Sequence, residues 1–361
     1  MAQQVQPRRR VLVAGLTIAG LGSILLCLIL GELAIRAVHL LRDDIPFFES
    51  PARIGPITMD SKLGWRATEH YGQDLEEHTL RGQPYHVHRT QGLLGFRTYG
   101  DLRSTKPKML VIGDSFTHAM AVSNDRTYYA LLSDLLGVET FAYGTGGYGT
   151  LQEYLLLDEV FDTIRPTMVL WQFCSNDFIN NDHALEMASS LNNNGWIRPY
   201  WENGRPVLRS PKPSGVQARE WIQRHSRFLY FIVSRVDRLR ARGPFESIEF
   251  QIDRARFAHP GFARSVQTTD ELMGMVRRRI GNVPLYAFNC DRDEPYSTAF
   301  EQISSHHQIQ FWKDVPDAVR NAEANGLDVS ASDAHWNELG HALIAKSLNE
   351  HFRRLQQVST Q

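Results

Sequence analysis

The sequence predicts an α/β fold, a doubly wound parallel sheet layered between helices, and three observations carry that prediction. From Lys108 onward, short apolar runs alternate with stretches whose apolar residues recur every three or four positions, which reads as strand alternating with helix. The first run, Met109-Leu110-Val111-Ile112, is continuously apolar, as a strand buried on both faces should be. Gly113-Asp114-Ser115 and Ser175-Asn176-Asp177 follow directly on such runs, at the strand ends where open α/β sheets bind ligands.

In order along the chain, the first element lies before the α/β region. Arg8, Arg9 and Arg10 precede Val11 to Leu30, twenty residues without a charge. At 1.5 Å per residue such a helix matches a hydrocarbon core of about 30 Å. A cleaved signal peptide would have an apolar region of only about 7–15 residues and a small-x-small site. No Ala-x-Ala follows, and no Leu-x-Gly-Cys lipobox surrounds Cys27, which is followed by Leu28. Residues 1–44 are therefore expected to be a cytoplasmic tail, one transmembrane helix and a juxtamembrane helix that Pro46 ends. With the arginines on one side and nearly cancelling charges on the other, the N-terminus stays cytoplasmic and the rest crosses.

Residues 45–105 are polar and short-periodic, and read as an N-terminal extension of strands and loops. The main domain is expected over 106–361. Its helices fall at Thr127–Leu136, Leu151–Phe161, Glu271–Ile280 and Leu339–Gln356, its later strands at Val138–Ala142, Met168–Phe173 and Val283–Phe288. An insertion or cap occupies about 178–265. Within it, Arg198 to Arg242 holds eleven Arg or Lys against three acids, interleaved with aromatics. This reads either as a solvated cap or as a surface for anionic lipid headgroups or glycan.

Composition narrows the function. Apolar residues are 42% and charged residues 22%, an ordinary globular balance. Lys plus Arg number 39 against 40 acids, so no charge bias points to nucleic acid. Three cysteines make no disulfide framework. Cys27 lies in the apolar run, leaving Cys174 and Cys290 either as a pair or as free thiols. His86 with His88, and His306 with His307, lack companions at metal-ligand spacing and read as surface histidines; no metal and no cofactor is expected.

Four motifs carry chemistry. Ser115 on a strand-to-helix turn projects its hydroxyl over the sheet edge, where a base can reach it. In Asp333-Ala334-His335 a carboxylate stands near enough to orient an imidazole and stabilise its protonated form. Asn176 at a strand end offers a neutral donor to an oxyanion. Gly144-Thr145-Gly146-Gly147-Tyr148-Gly149 satisfies a dinucleotide fingerprint literally, but it follows the second strand and no acidic residue follows at ribose spacing. It serves better as a loop whose backbone N–H groups approach a reacting carbonyl.

Together, Gly113-Asp114-Ser115-Phe116, the glycine block, Asn176-Asp177 and Asp333-Ala334-His335-Trp336-Asn337 resemble the SGNH (GDSL-like) hydrolases, in their membrane-anchored bacterial form. Leu63-Gly64-Trp65, Leu94-Gly95-Phe96-Arg97 and Gly147-Tyr148-Gly149-Thr150-Leu151-Gln152 extend the resemblance over about 60–355, apart from the insertion. The Asp-x-His spacing is one residue tighter than the family's often-quoted form, and Tyr143 stands where an Asn is common. The resemblance implies Ser115 as nucleophile and oxyanion donor, Gly147 (or Gly146) and Asn176 as further donors, His335 as base and Asp333 as its orienting acid. The expected fold is a three-layer α/β/α sandwich with a flavodoxin-like parallel sheet of about five strands, preceded by one transmembrane helix. The expected function is a serine esterase facing the periplasm or exterior, acting on an ester-bearing small molecule, lipid or glycan, such as an O-acetylated envelope glycan. An O-acyltransferase using the same serine, or an inactive envelope binding or assembly protein, are the alternatives.

Overall fold

The computed structural model describes residues 6–43, 47–48, 55–189, 191–211, 221–222, 225–241 and 247–359. They form two compact units, one drawn from 1–55 and 214–244, the other from 56–213 and 245–361. The chain opens with α1 (Gln6–Asp43). Among the described residues this is the one helix long and apolar enough to cross a membrane, over Gly15–Leu41.

The second unit begins with two antiparallel hairpins, β1 (Ile57–Asp60) with β2 (Gly64–Ala67) and β3 (Tyr71–His78) with β4 (Pro84–Gln91). There follow β5 (Thr98–Tyr99), β6 (Lys108–Gly113), α2 (Ser115–His118), α3 (Tyr128–Leu136), β7 (Glu139–Gly144), α4 (Thr150–Ile164) and β8 (Met168–Phe173). Beyond β8 come α5 (Asn176–Asn180), α6 (His183–Ala188) and the hairpin of β9 (Arg198–Glu202) with β10 (Arg205–Arg209). Helix α7 (Arg227–Ala241) belongs with α1 in the first unit. The second unit resumes with α8 (Ile248–Ala255), α9 (Pro260–Ile280), β11 (Leu285–Asn289), α10 (Tyr296–His306), β12 (Gln310–Trp312), α11 (Asp317–Ala324) and α12 (Glu338–Ser359).

Six strands make the central sheet, in the order β12-β11-β8-β6-β7-β5. Five are parallel, and the two-residue β5 pairs antiparallel with β7 at the edge. Counted along the chain, the parallel strands stand 2-1-3-4-5, the flavodoxin-like order. Strand pleating sends Leu110 and Ile112 to one face and Met109 and Val111 to the other, all fully buried. That is why β6 reads as an unbroken apolar run. One face is covered by α4, α9 and α10 through residues such as Leu155, Leu272 and Phe300. The other is covered by α3, α11 and α12 through Leu132, Val319 and Leu348. The sandwich therefore has the three expected layers.

Helix α9 begins at Pro260 rather than Glu271. His259 caps it, its ring Nδ1 accepting from Phe262 N at 3.2 Å, and Pro260 fills the first turn. The strand order reverses between β6 and β8, and crevices for ligands open at the carboxyl ends of strands at such a switch point. The segments leaving β6 and β8 there carry Ser115 and Asn176.

Candidate active site

Ser115 is the first residue of α2, just beyond β6. Asp114 caps this one-turn helix, its carboxylate accepting from Phe116 N at 3.0 Å. The far end is fastened by the buried Arg97, which donates to the carbonyls of His118 (2.7 Å), Ala119 (2.8 Å) and Val122 (2.8 Å). The His118 and Ala119 carbonyls close the C-terminal end of α2 and the Val122 carbonyl lies just beyond it, so one buried cation ties the turn to the segment that follows.

His335 arrives from the turn before α12. Its Nε2 lies 2.8 Å from Ser115 Oγ, and its ring packs against Phe116 with centroids 4.8 Å apart. Asp333 reaches the same residue twice. Its Oδ1 accepts from the His335 backbone N–H at 3.1 Å, and its Oδ2 lies 3.1 Å from Nδ1. The second contact is at ion-pair distance but off the ring N–H axis, so Nδ1 has no aligned hydrogen bond. The one-residue spacing is made possible by Ala334, which turns the chain in the left-handed region at φ 69°. Burial alone would lower the His335 pKa, but the adjoining Asp333 carboxylate and the charge of Asp114 outweigh it and hold it above its ordinary value. The same contact with His335 holds the Asp333 carboxyl below its usual range.

Gly147 lies in the loop after β7, at φ 74°. Two bonds fix its peptides. Trp65 Nε1 donates to Gly146 O at 3.2 Å, and Arg198 Nη2 donates to Gly147 O at 2.6 Å. Because a trans peptide sets its N–H opposite its C=O, holding Gly146 O toward Trp65 aims the Gly147 N–H the other way. Gly146 also approaches the serine, since a Cβ there would stand 3.9 Å from Ser115 Cβ. Asn176 opens α5, where its Nδ2 donates to Asn180 Oδ1 at 3.2 Å. Ser115, Gly147, Asn176, Asp333 and His335 together line one cavity of about 400 Å³, walled further by Asn180 and Asn192 to Asn194. A hydroxyl, an imidazole at hydrogen-bond distance and convergent neutral donors form the set that acyl transfer requires.

Sequence reasoning missed the supports of this site. Arg198, counted there in the basic run of the insertion, is buried instead. It pairs with the buried Glu186 at 3.0 Å, and Tyr200 donates to that carboxylate at 2.9 Å. Its guanidinium stands 4.9 Å from the Trp65 ring centroid. Gly64 of the Leu63-Gly64-Trp65 motif adopts φ 82°, where a Cβ would collide with the Ile197 carbonyl. The only sequence sign of this network was that motif itself, which named no partner. Beneath the serine, Asp114, Glu153 and Asp177 are all buried, and burial raises the pKa of each.

Cys174 and Cys290, at the ends of β8 and β11, are joined in a disulfide with Cα atoms 5.2 Å apart. Asp291 beside them accepts from Ser175 Oγ at 2.6 Å, and burial pushes its pKa up to about 6. His306 Nδ1 and His307 Nε2 each lie 2.9 Å from Asp270 Oδ1, a companion brought from α9 that spacing along the chain did not reveal. These three are the described residues best placed to hold a cation outside the disulfide, and none of them lines the cavity.

No protein-family model matches this sequence, and neither does any curated protein. Solved structures align with the chain at low identity. A member of the lipolytic G-D-S-L family from Veillonella parvula is 12% identical, over 68% of this chain and 98% of that one, at a TM-score of 0.37. The psychrotrophic esterase EstA from Pseudoalteromonas sp. is 11% identical over 69% and 98%, at 0.36. A catalytic mutant of the acetylxylan esterase Axe2 from Geobacillus stearothermophilus is 14% identical over 68% and 93%, at 0.36.

Proposed function

We propose that the chain is a serine esterase of the SGNH type. The observation that carries this reading is the 2.8 Å approach of His335 Nε2 to Ser115 Oγ, in a cavity that Gly147 and Asn176 also line. Ser115 Oγ attacks the ester carbonyl while His335 takes its proton. The resulting oxyanion is met by the N–H groups of Ser115 and Gly147 and by the Asn176 amide. Collapse expels the alcohol, which receives the proton from His335. Water then attacks the acyl-serine by the same steps in reverse, releasing the acid.

Asp333 stabilises the imidazolium formed in each half-reaction. The amide-rich wall suits a hydroxyl-bearing alcohol better than a long acyl chain, so an O-acetylated glycan of the cell envelope is the preferred substrate class. With α1 as an uncleaved anchor and the arginines before it on the cytoplasmic side, this chemistry takes place in the periplasm or outside the cell.

The test is hydrolysis of nitrophenyl acetate and acetylated glycans by the full chain in detergent. Ser115→Ala should abolish turnover with the fold intact, and Asn176→Ala should lower kcat by about 10²-fold with little change in KM. A wild-type protein that binds such esters but never turns them over would exclude the reading.

A further inference from the structure

The first unit contains a second helix whose position the esterase reading leaves unexplained. Helix α7 starts against α1 at Glu32. The Glu32 carboxylate accepts from Ser226 Oγ at 2.7 Å, Arg227 N at 3.1 Å and Phe228 N at 2.9 Å. An anion on the first N–H groups of a helix satisfies donors that have no partner within it. Glu32 is held in turn by Arg36 Nε at 2.6 Å, one turn further along α1. Gly31 completes the joint, because a Cβ there would stand 2.6 Å from the Phe228 ring. The start of α7 is thus built into α1 at the end of the uncharged run, where the anchor would leave the hydrocarbon.

Beyond this joint, α7 leaves several apolar side chains exposed among the described residues. Tyr230, Phe231, Ile232 and Val236 are each more than a third exposed, and Ile232 and Val236 lie one turn apart on one side of the helix. Exposed apolar side chains clustered along one helix in this way mark an interaction site. Fifteen residues span about 22 Å, too short to cross a core of about 30 Å. An amphipathic helix of this type lies in the interface, its apolar side sunk about 5–10 Å. The sequence supplies a cation for such a position in Arg235. The Arg235 guanidinium lies over the Phe231 ring, 5.1 Å from its centroid, and a long basic side chain on such a helix keeps its charge within reach of a lipid phosphate.

We infer that α7 is an interfacial membrane helix, sunk in the outer leaflet beside α1 and held there by Glu32, with anionic phospholipid as its partner. The lipid bilayer is the occupant because the exposed apolar face of α7 continues that of α1, where Leu25, Leu26, Ile29, Leu30 and Leu33 are also exposed. The inference rests on α1 being the anchor, and the test separates the two ideas.

The full chain carrying Cys27→Ser receives a single fluorophore through Leu25→Cys, Ile232→Cys or Leu80→Cys. Each protein is reconstituted into vesicles of neutral and anionic phospholipid in which part of the acyl chains are brominated. Bromine should quench the probes at positions 25 and 232 and spare the one at 80, in a β-hairpin turn of the second unit. Quenching at 25 without quenching at 232 would overturn the inference and leave the anchor standing, with a partner protein as the occupant of α7. Quenching at neither position would overturn both. Glu32→Ala should reduce quenching at 232 by half or more while leaving 25 unchanged, and an undiminished signal would remove Glu32 as the clamp.

Discussion

Replacing Arg198 by methionine tests how far the candidate site depends on groups outside its cavity. Arg198 and Glu186 are 1% and 0% exposed, with Nε and Oε2 3.0 Å apart. At an effective dielectric of about 20, two charges at that distance attract by about 5.5 kcal/mol. Removing one partner of a buried pair typically costs about 3–5 kcal/mol, because the other charge stays buried and alone. Tyr200 would still donate to Glu186, so Arg198→Met should lose about 3–4 kcal/mol in urea unfolding of the detergent-solubilised chain. Adding Glu186→Leu, which removes the stranded charge, should return at least half of that loss. Turnover should respond separately from stability. Arg198 Nη2 holds the Gly147 carbonyl at 2.6 Å, and freeing that loop would misalign the oxyanion donor proposed at Gly147, a kind of donor worth about 10²–10³-fold in rate. The double variant should therefore regain stability without regaining kcat. Arg198→Lys should rescue neither, since one ammonium cannot serve the carboxylate and the carbonyl with the same fork geometry. If Arg198→Met lost less than about 1 kcal/mol, the range of an exposed pair, and kept its kcat, the reasoning would be refuted.

Three further outcomes follow from the geometry. The acid limb of the kcat/KM profile should have its midpoint above the ordinary imidazole value of about 6.5, with activity rising as His335 loses its proton. Asp333→Asn should move that midpoint down, because burial then acts with less opposition, and an unmoved midpoint would free His335 of Asp333. At Ala334, glycine should preserve activity and change stability by about 1 kcal/mol or less, whereas Ala334→Val should cost more than about 1 kcal/mol and lower kcat, since a branched side chain resists positive φ; thermal unfolding and kcat measured together check both. Cys174→Ser combined with Cys290→Ser should lower stability by about 2–4 kcal/mol, as loss of a crosslink closing a long loop does, and chemical denaturation of the double variant against the oxidised parent reads it directly.

The sheet was legible because its strands are buried on both faces. Met109 to Ile112 and Met168 to Trp171 are apolar at every position, and that pattern appears in a single sequence. The two edge strands were not legible. Gln310–Trp312 and Thr98–Tyr99 are short and only partly buried, so no continuous apolar run was required of them. The start of α9 was hidden for a related reason. Arg264, Thr268 and Asp270 break up its apolar spacing, and the cap comes from a histidine ring rather than from the usual short polar side chain.

The candidate site divides along the same line between what a residue is and what it meets. Ser115, Asn176 and His335 could be singled out because their chemistry is written in their side chains and local context. Trp65, Arg97, Arg198 and Glu186 could not, because their roles lie in partners far along the chain. Trp65 reaches Gly146 and Arg198 reaches Gly147, while Gln152 donates to Leu63 O at 2.7 Å and Ala67 N to Tyr143 Oη at 2.9 Å. Read together, these bonds give Leu63-Gly64-Trp65 a physical reason: the motif braces the glycine loop from the side opposite the serine. Tyr143 then ceases to be an anomaly. A phenol at that position spans from the sheet to the β2 backbone, which a shorter amide could not do, so the loop is held by the hairpin rather than by its own residues. The tight Asp333-Ala334-His335 spacing has the same character. It works only because Ala334 accepts a left-handed turn, and the price is a carboxylate that meets Nδ1 off axis, which makes the pH profile of Asp333→Asn the sharpest measure of how much that residue contributes.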